Sequence, residues 1–338
     1  MTIDVHAHTV PLDHIERLKS IAPQLAPKIE LDGGMCWFVY PDGRRSGPMP
    51  VGMYDTEARL ADMDTMGVTM QALSVPPPHF NYHVDKALGA AAAASHNDAM
   101  VAMATAHPDR FVVLATLPMQ DPELAVLELN RVSSMTGVVG VELSTNVAGT
   151  NLDAEWLDPI WAALANAGLP IVLHPHDVVE GGGRMKEHYL HNFVGNPTDT
   201  TLAAGSLMFG GVLSRHPRLR FGLLHGGGFL PYQIGRFDHG WSVRPEPKKH
   251  CAVKPSSLLK HFWFDTLAHD DLSLDLLLRR MGADKVFLGS DYPFDMADMD
   301  PVGTATRVIG AGKPELEKVF DQTAKGFLTR LPDSVTEV

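Results

Sequence analysis

Cysteine is scarce in this chain of 338 residues: only Cys36 and Cys251 occur, far apart and without CxxC spacing. That argues against a disulfide framework and against a cysteine-based zinc site. Long apolar runs are missing too, since no segment approaches the ~20 unbroken apolar residues of a membrane span. The first residues carry neither a basic n-region nor an apolar h-region, so a cytoplasmic location is expected. Basic charge is in deficit, with a net charge of −12. No basic stripe relieves it, so neither nucleic acid nor an anionic membrane is an expected partner. A small anionic substrate stays admissible, because a local arginine outweighs the global field at short range. Nor does a Gly-rich dinucleotide fingerprint follow the first apolar run, which weighs against a doubly wound nucleotide-binding fold.

Histidine, by contrast, is abundant, with seventeen residues. The chain also has a regular rhythm. Short apolar runs bounded by turn residues fall at 2–8, 68–75, 111–117, 138–144, 169–174, 219–225, 261–266 and 285–291. Helical patterns fill the gaps, at 57–66, 84–107, 122–135, 154–167, 197–215, 226–240 and 270–281, with two more near 302–310 and 314–329. Eight β–α units read as a single (β/α)8 barrel over residues 1–338. Residues 24–55 break the rhythm: the strand-like Cys36–Tyr40, closed by Pro41-Asp42-Gly43, predicts a small β-hairpin inserted between the first strand and its helix.

Barrel active sites lie at the C-terminal ends of the strands. Four of the runs finish there in polar residues: His6 and His8, His174, His225, and Asp291. Strand alternation puts Asp4, His6 and His8 on one face, with Asp4 deeper as a supporting residue. Any one such histidine can be an ordinary core residue with a hydrogen-bond partner. Together, His6, His8, His174 and Asp291 supply the nitrogen and oxygen ligands of a mononuclear divalent site, Zn2+ by donor type, with Mn2+ the alternative. His225, one strand over, is then free to act as acid or base. The fourth run has no lysine and only Glu142 as an acid, which favours one metal ion over two.

With those residues in place, the chain resembles the amidohydrolase superfamily, and within it the branch of non-oxidative decarboxylases. The shared pieces are Asp4-x-His6-x-His8, the block from His174-Pro-His-Asp177 through Gly182-Gly-Arg184-Met-Lys186, Asn196-Pro-Thr-Asp-Thr-Thr201, His225-Gly-Gly-Gly228 with Arg236, Asp238 and Trp241, and Gly289-Ser-Asp291-Tyr-Pro-Phe294. The resemblance implies a catalytic Zn2+ on His6, His8, His174 and Asp291, and His225 as general acid/base. It implies a homodimer in which Arg236 reaches the neighbouring active site to hold a substrate carboxylate, and Phe294 packing on the substrate. A second family arginine comes from the inserted loop. Here Arg44 and Arg45 lie nearby, at a spacing to Tyr54-Asp55 that differs from the family's, and Arg45 is taken as the substrate contact. His176 and His188 stand where the family has tryptophan, which implies a more polar pocket with His176 as a substrate-binding residue.

The expected reaction is loss of CO2 from a small unsaturated or aromatic carboxylic acid, muconate-semialdehyde-like or hydroxybenzoate-like. Hydration of a double bond, or hydrolysis of a lactone or amide, would use the same metal and histidine. A non-catalytic binding protein is the remaining reading, and retention of every expected ligand argues against it.

Overall fold

The computed structural model describes residues 1–179 and 183–332. Eight strands, β1 (Ile3–His8), β2 (Met70–Ser74), β3 (Phe111–Ala115), β4 (Val138–Ser144), β5 (Ile171–His174), β6 (Phe221–Leu223), β7 (Phe262–Asp265) and β8 (Val286–Phe287), neighbour one another in chain order. All seven pairings are parallel. The Ala7–Tyr292 bridge and a 2.9 Å bond from Val5 N–H to Leu288 O bring β8 back to β1. The result is a nearly closed (β/α)8 barrel, as the eight-run rhythm predicts. Each run ends within about two to four residues of its strand, because continuous apolar stretches are what a strand buried on both faces requires.

The helices form an outer ring: α1 (Leu12–Ile21), α2 (Thr56–Met66), α3 (Lys86–Ala106), α4 (Pro122–Val132), α5 (Asp158–Ala167), α6 (Asn196–Phe209), α7 (Leu230–Val243), α8 (Asp271–Met281) and α9 (Pro301–Ile309). Aspartates start several of them. Asp55, Asp85, Asp121, Asp270 and Asp300 each accept a bond from a first-turn N–H, satisfying donors that the helix itself leaves open. The helix expected over 197–215 stops at Phe209 and restarts at Val212, because Gly211 turns the chain with a φ of 75°.

Two differences from the sequence reading affect the site. First, β1 does not alternate cleanly. Its register against β2 slips between Asp4 and Ala7, so a bulge interrupts the period of two. Ile3 and Val5 pack in the inner cluster with Val112, Leu114, Val139 and Phe287. Asp4 faces away from them and accepts from Gln71 Nε2 (3.2 Å), while Gln71 Oε1 accepts from Arg59 of α2 (2.8 Å). Asp4 therefore does not share a face with His6 and His8. It supports them through the backbone, accepting from His6 N–H at 3.0 Å and from Ser290 N–H at 3.1 Å.

Second, the insertion is larger than a hairpin. A three-stranded antiparallel sheet spans Lys28–Asp32, Met35–Val39 and Arg45–Pro50, and α1 precedes it, so the first strand's helix is not displaced beyond the insertion. Exposed Leu31 and the polar alternation of Lys28–Asp32 hid the first of these strands. The sheet's apolar face (Cys36, Phe38, Tyr40 and Met49) packs with Val10, Ile15 and Met53, and Phe294 rests against that cluster. The insertion thus backs one wall of the strand-end cleft.

Candidate metal centre and active site

Five side chains from four strand ends meet at the C-terminal mouth of the barrel. His6 and His8 leave β1, His174 ends β5, His225 follows β6, and Asp291 follows β8. Asp291 Oδ1 lies 3.2 Å from His6 Nε2, 3.2 Å from His8 Nε2 and 3.9 Å from His174 Nε2, while its Oδ2 lies 3.6 Å from His225 Nε2. His225 and Asp291 both adopt the left-handed backbone region, with φ of 56° and 63°. For non-glycine residues that is strained. Asp265 holds the first, accepting from His225 N–H (3.0 Å) and Gly226 N–H (2.6 Å), and His6 O holds the second, accepting from Asp291 N–H at 2.8 Å. Gly289 lets β8 come this close, since a Cβ there would sit 2.7 Å from Asp265 Cβ and 3.0 Å from His6 Cβ.

Three of the four rings are anchored on their far side. His6 Nδ1 meets Asp265 Oδ2 at 2.7 Å, His8 Nδ1 meets Val75 O at 2.9 Å, and His174 Nδ1 meets Pro175 O at 2.8 Å. Their Nε2 atoms and Asp291 Oδ1 are buried without any hydrogen-bond partner. Buried polar atoms are rarely left so, and a ring fixed through one nitrogen with the other bare is the arrangement of a metal-bound histidine. The set fits a divalent cation. One ligand atom each from His6, His174, His225 and Asp291 lies within 4.8 Å of the others, a set that holds His225 and not His8, so distance alone would place His225 among the ligands. Its Nδ1, however, has no anchor.

The electrostatics point the same way. Burial lowers the pKa values of His8 and His174 and keeps them in the neutral form that binds metals. Burial opposes charge on His6 as well, but the Asp291 and Asp265 carboxylates outweigh it and push its pKa up to about 10. Two buried carboxylates thus demand positive charge at this point, which a cation would supply in place of the His6 proton. Glu142 on β4 faces the same interior. Burial pushes its carboxyl up to about 8, and neither oxygen has a hydrogen-bond partner.

Two cavities meet at Asp291 and share Asn192, Asn196 and Met296. One, of about 440 Å3, has His225, Tyr232 and His269 in its walls; the other, of about 670 Å3, has His174, His176, Tyr189 and Phe294. The Phe294 ring stands 5.2 Å from that of His8. Among the described residues no arginine or lysine lines either cavity.

Arg45 is exposed, paired with Glu30 at 3.0 Å and stacked on Trp37. Arg44 is paired with Asp42 at 2.6 Å. Both are exposed, and neither lines the cavities. Arg236 is exposed on α7, and His188 is exposed beyond the pocket walls. Gly182 of the His174 block lies outside the described residues.

A profile for the amidohydrolase family matches residues 3–329. The chain belongs to the amidohydrolase family. This amidohydrolase is 36% identical over 264 residues to the 2-amino-3-carboxymuconate-6-semialdehyde decarboxylase of Dictyostelium discoideum, covering 77% of this chain and 72% of that one. It is 29% identical over 257 residues to the gamma-resorcylate decarboxylase of Rhizobium radiobacter, covering 72% and 78%. In fold it matches a 5-carboxyvanillate decarboxylase from Novosphingobium aromaticivorans, solved with manganese and 4-hydroxy-3-methoxy-5-nitrobenzoic acid (TM-score 0.80, 23% identity, 97% of this chain and 95% of that one). The amidohydrolase is therefore an enzyme, a carboxy-lyase.

Asp265 is the functional residue that sequence reasoning passed over. The seventh run ends Phe264-Asp265-Thr266, and a charged residue directly after an apolar strand was the available signal. Tyr189 and Asn192 were also missed, since they line the cleft from the segment between β5 and α6, whose position no strand pattern encodes.

Proposed function

We propose that the amidohydrolase releases CO2 from a small hydroxybenzoate-like or muconate-semialdehyde-like acid, with a divalent ion held by His6, His8, His174 and Asp291. The observation that carries this is the set of bare, buried Nε2 and Oδ1 atoms aimed at one point, with His225 on the opposite carboxylate oxygen. When bound, the ion supplies Lewis-acid polarisation of a substrate oxygen and acidifies water. His225 delivers a proton to the carbon that bears the carboxylate, where a pair of the substrate's π electrons forms the new C–H bond; the C–C bond to the carboxylate then breaks, its electron pair returns to the π system, and CO2 leaves. Asp291 Oδ2 stands 3.6 Å from His225 Nε2 and faces the ring that donates this proton. Phe294 and the His176 side of the cleft pack the ring, and Asn192, Asn196 and Tyr189 offer neutral partners for hydroxyl groups.

The donor set of three nitrogens and one oxygen suits zinc. The manganese in the Novosphingobium relative makes the metal's identity the first thing to measure. Because no arginine or lysine among the described residues lines the cavities, the carboxylate is held by the ion and by Arg236 of a second copy. Arg236 follows the exposed Tyr232 by one helical turn, where a partner's cleft could receive it. Two buried, unpaired cysteines suit the cytoplasm.

Purified protein loaded with zinc or manganese should release CO2 from hydroxybenzoate-type or muconate-type acids. His225→Asn should keep its metal and lose about 10²–10⁴-fold in kcat, the range for an acid/base group. If no such acid yields CO2, and product from 18O-labelled water carries the label, the reaction is hydration or hydrolysis instead.

A further inference from the structure

A second group of buried histidines lies behind the insertion, apart from the strand-end cleft. His14 comes from α1, His79 from the loop after β2, and His96 from α3. All three are buried, and one ring nitrogen from each lies within 4.8 Å of the others. Each ring is tied once to a neutral oxygen: His14 Nδ1 to Ser95 Oγ (3.1 Å), His79 Nε2 to Tyr40 Oη (2.8 Å) and His96 Nε2 to Thr9 O (2.9 Å). Because Thr9 O can only accept, the proton of a neutral His96 sits on Nε2, and its Nδ1 is a bare lone pair. The opposite nitrogens of His14 and His79 likewise make no hydrogen bond within the described chain.

We infer that His14, His79 and His96 form a second divalent-metal site, taking a cation that prefers imidazole, such as Zn2+, Ni2+ or Cu2+. As at His6, His8 and His174, one nitrogen of each ring is fixed by the protein. The donors are all nitrogen, with no carboxylate among them, which discriminates against Mg2+ and Ca2+. Burial holds His14, His79 and His96 neutral, so unlike His6 they need lose no proton to bind. The nearby cations, Arg17 and Arg44, are each committed to an aspartate, Asp98 and Asp42. At present His14 and His96 stack at 4.1 Å with 29° between planes, so an ion would turn that pair apart. It would also clamp α1, α3 and the β2 loop together under the insertion that backs the catalytic cleft.

Zn2+ titration of the metal-stripped full chain, with bound metal counted after gel filtration, tests this. The wild type should hold two ions per chain. His14→Gln and His96→Gln should each hold one and keep CO2 release at that single equivalent. One ion per chain in the wild type, or two in both variants, overturns the site. If the variants do not fold, anomalous scattering from wild-type crystals grown with Zn2+ decides it, by a peak or none among the three rings. Failure of the catalytic reading looks different: CO2 release would be absent whatever the count at the triad.

Discussion

Replacing Asp265 by Asn should weaken both the fold and the metal centre, and the structure says by how much. The carboxylate receives three N–H groups: Oδ2 takes His6 Nδ1 at 2.7 Å and His225 N at 3.0 Å, and Oδ1 takes Gly226 N at 2.6 Å. An asparagine is nearly the same size but has one acceptor. In its better orientation the amide oxygen keeps His6 and His225, and the NH2 group points at the Gly226 N–H. One buried donor is then unsatisfied, costing about 1–3 kcal/mol, and two charge-assisted bonds fall to neutral strength, costing about 1 kcal/mol each. Asp265 is fully buried, so water cannot compensate. The expected loss is about 3–5 kcal/mol, read as a shift in urea midpoint at unchanged slope on metal-stripped protein. Because Asp265 also orients His6, metal affinity should fall about 10–100-fold, measured by chelator competition. A variant within about 0.5 kcal/mol of the wild type, with metal affinity changed less than twofold, would refute the anchoring role.

Arg236→Ala should raise KM at least tenfold with little change in Tm, since the side chain is exposed. Mixing it with His225→Asn should restore roughly a quarter of wild-type activity if the site is completed across a twofold dimer, and no restoration would place Arg236 outside the partner's cleft. In acid, His96 contributes a loss of stability with a defined window. Burial lowers its folded pKa to about 4 from the ordinary 6.5, so the unfolded chain takes up the proton first. Stability is full above pH 6.5 and falls as pH drops toward 4, by about 3 kcal/mol for this residue. His14 and His79, lowered by burial too, steepen the slope. Urea titrations of metal-stripped protein at pH 7 and pH 5 should show a smaller difference in His96→Gln than in the wild type.

The barrel was legible because each strand, buried on both faces, must be written as an unbroken apolar run, and each helix between must show its own period. The strand-end residues were legible for a related reason: a histidine or aspartate placed directly after such a run has no place in the apolar packing. The first strand of the insertion escaped notice because its residues face solvent and carry no apolar signature. Asp4 was assigned to the wrong face because a bulge costs one residue of register, and composition does not record where the extra residue goes. Arg45 appeared within reach of the substrate on chain position alone; the fold leaves it exposed and pairs it with Glu30.

By itself, then, the sequence determined the period of the elements, the absence of a membrane-spanning run, and the chemical types set at the strand ends. Tertiary structure decided what those types do. It aimed three Nε2 atoms and one carboxylate oxygen at a common point, placed Asp265 against both His6 and the turn that carries His225, and gathered His14, His79 and His96 from elements 82 positions apart in the chain. Local propensity acts over a few residues, whereas closing the barrel brings Ala7 beside Tyr292. Only that closure fixes which bare nitrogen faces which.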